Sequence, residues 1–230
     1  VSRSRPVIAI DGPAGVGKST TARVIARELG YLLVDTGALY RGVALAARDR
    51  GIAWDDEAAV TALSEALSLS FASQEDGTPR LQIDGTDRAD EIRTPEIAAG
   101  ASKVSAYRGV RQALFGVQRS LGADGGVVLE GRDIGTVVFP DAEVKLFLTA
   151  SAETRAERRV NDLQERGIAA KHDEILHQIE TRDRQDSERA VAPLRPADDA
   201  ILLDSTHMDL DAVVARVLAI VESAESRASS

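Results

Sequence analysis

The chain contains no cysteine. That absence excludes disulfides, thiolate metal sites and cysteine nucleophiles together, and makes a cytoplasmic location the expectation. No apolar run approaches the roughly 20 residues a membrane span needs. The first six residues, Val1 to Pro6, carry two arginines, but no apolar h-region follows, so no secretory signal is expected. Lysine is scarce: 24 of the 28 basic residues are Arg and only 4 are Lys. Arginine suits bidentate phosphate recognition. Codon bias in an Ala- and Arg-rich proteome gives the same total, so only the placement of particular arginines carries functional weight. A net charge of −9 argues against nucleic acid or an anionic membrane as partner. What is there is ordinary: 230 residues, 43% hydrophobic and 28% charged, enough for one α/β domain or a core with an insertion.

Val7 to Ile10 is a short apolar run ending at Asp11-Gly12-Pro13, which reads as a buried strand entering a Gly-rich turn. From Lys18 onward Ala22, Ile25, Ala26 and Leu29 recur at helical spacing and Gly30 closes the helix. Tyr31 to Val34 reads as a second strand, and an Ala-rich helix follows over Leu39 to Arg48. Strand, loop, helix, strand is the βαβ unit of a parallel sheet. From about Asp55 to Ala101 the pattern changes. A helix leads into Leu69-Ser70-Phe71 and Leu81-Gln82-Ile83 around Gly77-Thr78-Pro79, a hairpin signal inside an insertion. The α/β rhythm then returns. Helices are expected over Arg108 to Leu121, Ala152 to Arg166 and His172 to Arg189; strands over Val127 to Leu129, Val144 to Leu148 and Ala200 to Leu203. A closing helix places Leu210, Val213, Val214, Val217, Leu218 and Val221 on one stripe, and the tail from Ser223 is expected to fray. About five parallel strands flanked by helices result.

Gly12, Pro13, Ala14, Gly15, Val16, Gly17, Lys18 and Ser19 fit G-x-x-x-x-G-K-[ST] between an expected strand and an expected helix, and Thr20 extends the helix start. Glycines let backbone N–H groups turn inward around phosphate oxygens, and the helix N-terminus adds positive potential. Lys18 can reach the outer phosphates and the Ser19 hydroxyl can ligate Mg²⁺. The motif indicates a nucleoside triphosphate site without fixing the reaction. A GTPase would need an N-K-x-D element, and the sequence has none. A motor or transporter ATPase would end an apolar strand in Asp-Glu; here Glu130 is followed by Gly131-Arg132-Asp133.

A small kinase needs a second site. An acceptor that is itself a phosphate brings charge that arginines must neutralise. Arg41 and the Arg132-Asp133 pair follow two strands, where loops line the ligand crevice of an open sheet. Arg182, Asp186 and Arg189 share a helix face, and so do Arg155, Arg158 and Arg159. On periodicity alone the first set reads as an exposed ion-pair ladder, and pairing with Glu153 and Glu157 accounts for the second set nearly as well as a lid does. Crowded like charges nonetheless suit a lid that meets phosphate on closing. His172, His177 and His207 are too scattered for a metal site and read as solvated.

Taken together, the motifs resemble the bacterial cytidylate kinase family from about Val7 to Val221. The stretches that carry the resemblance are Ile10 to Pro13, Asp35 to Arg41, Glu130 to Pro140 and Arg189-Ala190-Val191-Ala192-Pro193-Leu194. The resemblance implies a P-loop nucleoside monophosphate kinase fold occupying 6–225. Its core would be 6–60 and 102–225, its monophosphate-binding insertion about 61–101 and its lid about 151–168. It implies ATP and CMP or dCMP as substrates, Mg²⁺ with the ATP, and a monomer. Arg41, Arg132 and Arg189 would hold the CMP phosphate. Ser102, Arg111 and Asp133 would read the cytosine edge, Arg182 and Asp186 the ribose, and Thr36, where relatives may carry Ser, would line the acceptor site. Lys18, Arg155, Arg158 and Arg159 would be catalytic. A related kinase for another acceptor, and an ATP-binding module without turnover, are the rival readings.

Overall fold

The computed structural model describes residues 3–73, 79–165 and 167–228. Five parallel strands form the main sheet in the order β2 (Leu32–Asp35), β6 (Val127–Gly131), β1 (Val7–Asp11), β7 (Val144–Thr149), β8 (Ile201–Asp204). All five residues of β1 are buried, as expected for a central parallel strand covered on both faces. Its side chains alternate. Ile8 and Ile10 pack with Ile25 of α1 (Lys18–Leu29) and Val217 of α8 (Leu210–Ala228), while Val7 and Ala9 pack with Leu129 and Phe139 on the opposite face. Each strand lies within one or two residues of its expected span.

Beside the sheet sit α2 (Thr36–Asp49), α3 (Glu57–Ala66), a small antiparallel sheet, α4 (Pro95–Val104) and α5 (Arg108–Leu121) around a second core of Leu39, Leu45, Leu81, Ile97 and Leu114. The expected hairpin is β3 (Leu69–Ser73) against β4 (Pro79–Ile83); its turn residues Gly77 and Thr78 lie outside the described residues. A third strand, β5 (Thr86–Asp87), pairs with β4 and was not expected. Neither was α4, although its N-terminal signals are present: Thr94 accepts from the Ile97 N–H at 3.2 Å and Pro95 opens the helix. The helices α6 (Ala152–Glu165) and α7 (His172–Glu188) lie in sequence between β7 and β8; Arg166 lies outside the described residues.

Three expectations need correction. Helix α2 begins at Thr36, three residues earlier than its apolar pattern suggests, because the Asp35 side chain accepts from the Ala38 N–H at 3.2 Å and caps it. Arg41, expected near the start of this helix, sits in its second turn. The stretch after Asp133 is no open loop: Ile134–Val138 forms one π-helical turn. Last, α8 runs through to Ala228, so 223–228 are helical; the Tyr31 hydroxyl donates to Glu225 at 2.8 Å.

Asp11 fixes that π-helical turn. Its buried carboxylate accepts from the N–H groups of Ile134 and Gly135 at 2.9 and 2.7 Å. Burial outweighs these two bonds and pushes the carboxyl up to about 6. Asp11 thus binds a proton more readily folded than unfolded, so its stabilising contribution grows as pH falls through 6 towards 4. Asp11→Asn lacks that proton-linked gain. The stability gap between wild type and Asp11→Asn, measured by urea unfolding, widens between pH 7 and pH 4.5; a pH-independent gap contradicts the assignment.

Candidate active site

The Gly-rich loop joins β1 to α1. Gly15 and Gly17 have φ of 75° and 96°, the left-handed region that glycine tolerates best. Gly12 is a packing requirement as well: a Cβ there would collide with the Leu148 carbonyl of β7. No side chain caps α1, so its first N–H groups face the loop. Lys18 is buried and donates to the carbonyls of Gly12 and Pro13 at 2.9 and 2.7 Å. Burial, aided by the nearby Arg132 guanidinium, holds its ammonium well below the usual lysine range.

Ser19 meets the end of β6, where its hydroxyl donates to Glu130 Oε2 at 2.8 Å. Glu130 is the direct neighbour of Asp35 across β6 and β2. Burial and the Asp35 charge push Glu130 up to about 7. The Thr36 hydroxyl donates to the Glu130 carbonyl at 2.7 Å, tying the start of α2 to the same strand end. A cavity of about 310 Å³ opens here, lined by Ser19, Asp35, Arg41, Glu130 and Arg159 and walled by Phe71 and Leu81 of the small sheet.

Facing the loop is a dense group of arginines. Arg41 reaches back to Asp35 at 2.5 Å. Arg132 donates to Asp186 of α7 at 2.9 Å, and Arg189 lies 4.0 Å from the same carboxylate. Burial and Arg132 lower Arg182 to about 10; burial and Arg111 lower Arg189. Among the described residues, Arg41 Nε, Arg182 Nε and Arg189 Nη2 are buried without a hydrogen-bond partner. Guanidinium groups outnumber the carboxylates that could satisfy them, which is the electrostatics of an anion site. An exposed ladder on α7 is ruled out, since Asp186 is buried.

Asp133 is the centre of a second cluster. It pairs with Arg111 and lies 3.6 Å from Arg189, all three side chains being nearly inaccessible. Tyr40 supports Arg111 from below, the guanidinium 5.4 Å from the ring centre. Ser102 on α4 contacts Gln185 on α7 at 3.4 Å, linking the second core's helices to the α7 side of the site. The lid arginines divide. Arg159 is exposed and borders the cavity, whereas Arg158 donates to Ser205 and Met208 carbonyls, and Arg155 is buried against Ala14, Ala150 and Asp183. Among the described residues no hydrogen bond or close ion pair joins Arg155 or Arg158 to Glu153 or Glu157, although the Arg155 charge acts on Glu153 at longer range.

Glu130, Asp35, Asp11 and Tyr40 belong to this site and were not singled out from sequence. One signal was available for three of them: the strands entering the crevice, β1, β2 and β6, each carry an acidic residue at or next to their final position. Of the histidines, His177 and His207 are exposed and His172 is half-buried. Among the described residues no group of three or more His, Cys, Asp or Glu could hold a metal ion, and no helix is long and apolar enough to cross a membrane.

Comparison with known proteins agrees with this geometry. The cytidylate kinase family model matches residues 8–223. A cytidylate kinase of Syntrophotalea carbinolica is 51% identical over 94% of this chain and 91% of its own, and one of Lactobacillus johnsonii 47% identical over 94% and 93%. A bifunctional pantoate ligase/cytidylate kinase of Synechococcus matches at 50% identity over 93% of this chain but 40% of its own length. Among solved structures, a gluconokinase of Sinorhizobium meliloti shares the fold at TM-score 0.50 and 16% identity, over 98% of this chain and 96% of its own. With the P-loop nest, the opposed arginines and the extent of these matches, the chain belongs to the cytidylate kinase family of nucleoside monophosphate kinases.

Proposed function

We propose that the chain transfers the γ-phosphoryl group of ATP directly to CMP, and to dCMP, giving ADP and the diphosphate. The observation that carries this reading is the set of buried, partnerless guanidinium nitrogens on Arg41, Arg182 and Arg189 opposite the P-loop. The P-loop, Gly12 to Thr20, would take the triphosphate. Arg41, Arg132 and Arg189 would take the acceptor phosphate, and Arg182 and Asp186 the ribose. Thr36, held on the Glu130 carbonyl, would line the acceptor side. Asp133, with Arg111 and Ser102, would read the base: the cytosine amine is a donor and a carboxylate oxygen accepts it.

No general base is required, because the acceptor is already an anionic oxygen. What the protein supplies is alignment and charge neutralisation. Lys18 would follow the transferring group. Arg159, exposed beside the cavity, is the lid arginine free to swing onto phosphate, and 151–168 would be the lid that carries it, with 61–101 the moving insertion. A magnesium ion fits the donor set: Ser19, Glu130 and Asp35 offer only hard oxygen ligands, and phosphates and water complete such a shell. When bound, it would screen the charge on the donor phosphates. The reading carries with it a cytoplasmic monomer with no nucleic-acid or membrane partner.

A panel of acceptors tests it. ADP release from ATP is expected with CMP and dCMP, weaker with UMP, and absent with AMP, gluconate or shikimate. Release with a sugar acid and not with CMP would assign the chain another acceptor; ATP binding with no acceptor-dependent ADP would make it a sensor.

A further inference from the structure

Behind the P-loop an ion pair links α6 to α7, Arg155 being buried and Asp183 half-buried. Arg155, 5% exposed, has every arm of its guanidinium engaged. Its Nε donates to the Ala150 carbonyl at 3.0 Å, Nη1 to the Ala14 carbonyl at 3.0 Å and Nη2 to Asp183 Oδ2 at 2.6 Å. Ala14 is part of the nest itself, and a Cβ on Gly15 would touch Arg155 Cβ at 3.5 Å. Asp183 lies on α7, next to Arg182 and three residues before Asp186, the two residues of that helix that face the acceptor arginines.

We infer that Arg155 and Asp183 are positioning residues that couple the donor site to the acceptor site. This rests on the reading of the two sites given above. A P-loop that closes on a triphosphate re-aims its peptide groups, and the Ala14 carbonyl is one of them. Arg155 is a planar fork with three fixed directions, so it cannot follow one partner without moving another. Its far end grips a helix 17 residues long, which moves as a unit and carries Arg182 and Asp186 with it. Reaching out to phosphate directly would require Arg155 to abandon Asp183, whose Oδ1 is already buried without a hydrogen-bond partner. That leaves the pair inside the protein, with Arg159 outside it as the phosphate-contacting candidate. Filling the donor site then biases the acceptor site, and the bias is reciprocal.

Calorimetric titration of CMP, with and without the non-transferring ATP analogue AMP-PNP and Mg²⁺, tests the coupling. Wild type is expected to bind CMP about fivefold or more tighter when AMP-PNP is present, and AMP-PNP tighter by the same factor when CMP is present. In Asp183→Asn the factor falls to about twofold or less, while affinity for CMP alone stays within about threefold of wild type. Asp183→Glu, which keeps the charge, restores it. If Asp183→Asn is unfolded by circular dichroism, Arg155→Lys carries the same test, since an ammonium cannot hold three divergent partners. An unchanged factor in the folded variant overturns the inference, as does a wild type whose CMP affinity ignores AMP-PNP. Failure of wild type to bind CMP at all would instead overturn the proposed function.

Discussion

Lys18→Met is expected to lower kcat by about 10²- to 10³-fold, the usual loss when one preorganised charge on a transition state is removed. The structure adds a second half to this expectation. Lys18 is buried, and burial and Arg132 both work against its positive charge in the ligand-free protein. Methionine has nearly the same length and no charge, so the substitution relieves that repulsion at the cost of two hydrogen bonds to the Gly12 and Pro13 carbonyls. Stability should therefore change little while turnover collapses. A coupled ADP assay and a thermal melt on the same preparation separate the two. Near wild-type turnover in a folded Lys18→Met protein would show that the lysine does not act on the transferring group.

Asp133→Ala is expected to do the reverse, harming both stability and acceptor binding. Asp133 is the shared anion of two buried arginines, Arg111 and Arg189. Removing one partner of a buried pair leaves an uncompensated charge and costs about 3–5 kcal/mol. Asp133→Asn keeps the shape with less damage, and in it the KM for CMP should rise at least about 10²-fold, because a site built to accept a hydrogen bond is left mismatched. The KM for ATP should move less than about threefold, since the partners of Asp133 are Arg111 and Arg189 on the acceptor side. Equal losses for both nucleotides would remove Asp133 from base recognition.

The donor nest was legible because everything it needs is local: a strand, eight residues and a helix start, contiguous in sequence. The opposition of Arg41 and Arg132 to that nest was legible one level up, since a parallel sheet delivers the carboxyl ends of β1, β2 and β6 to one edge. Beyond that, tertiary structure decides. Asp35 ends a strand and is also the cap that winds Thr36 to Ala38 into the helix. Three arginines on one face of α6 looked equivalent. Which of them meets a carbonyl, a carboxylate or open space depends on α7 and on the loop after β8, dozens of residues away. A long side chain with five donors has no preferred partner until the fold supplies one. α4 is the opposite case, since its start, the Thr94 cap followed by Pro95, is entirely local.

The arginine surplus between Arg41, Arg132, Arg182 and Arg189 has a consequence beyond chemistry. Groups that repel one another until an anion arrives make the folded state firmer when nucleotide is plentiful; at a hundred times its dissociation constant a ligand adds about 2.7 kcal/mol. In a starved cell the same protein opens more often and offers more of itself to proteases. Its abundance would then follow the pool it draws on, with no dedicated sensor.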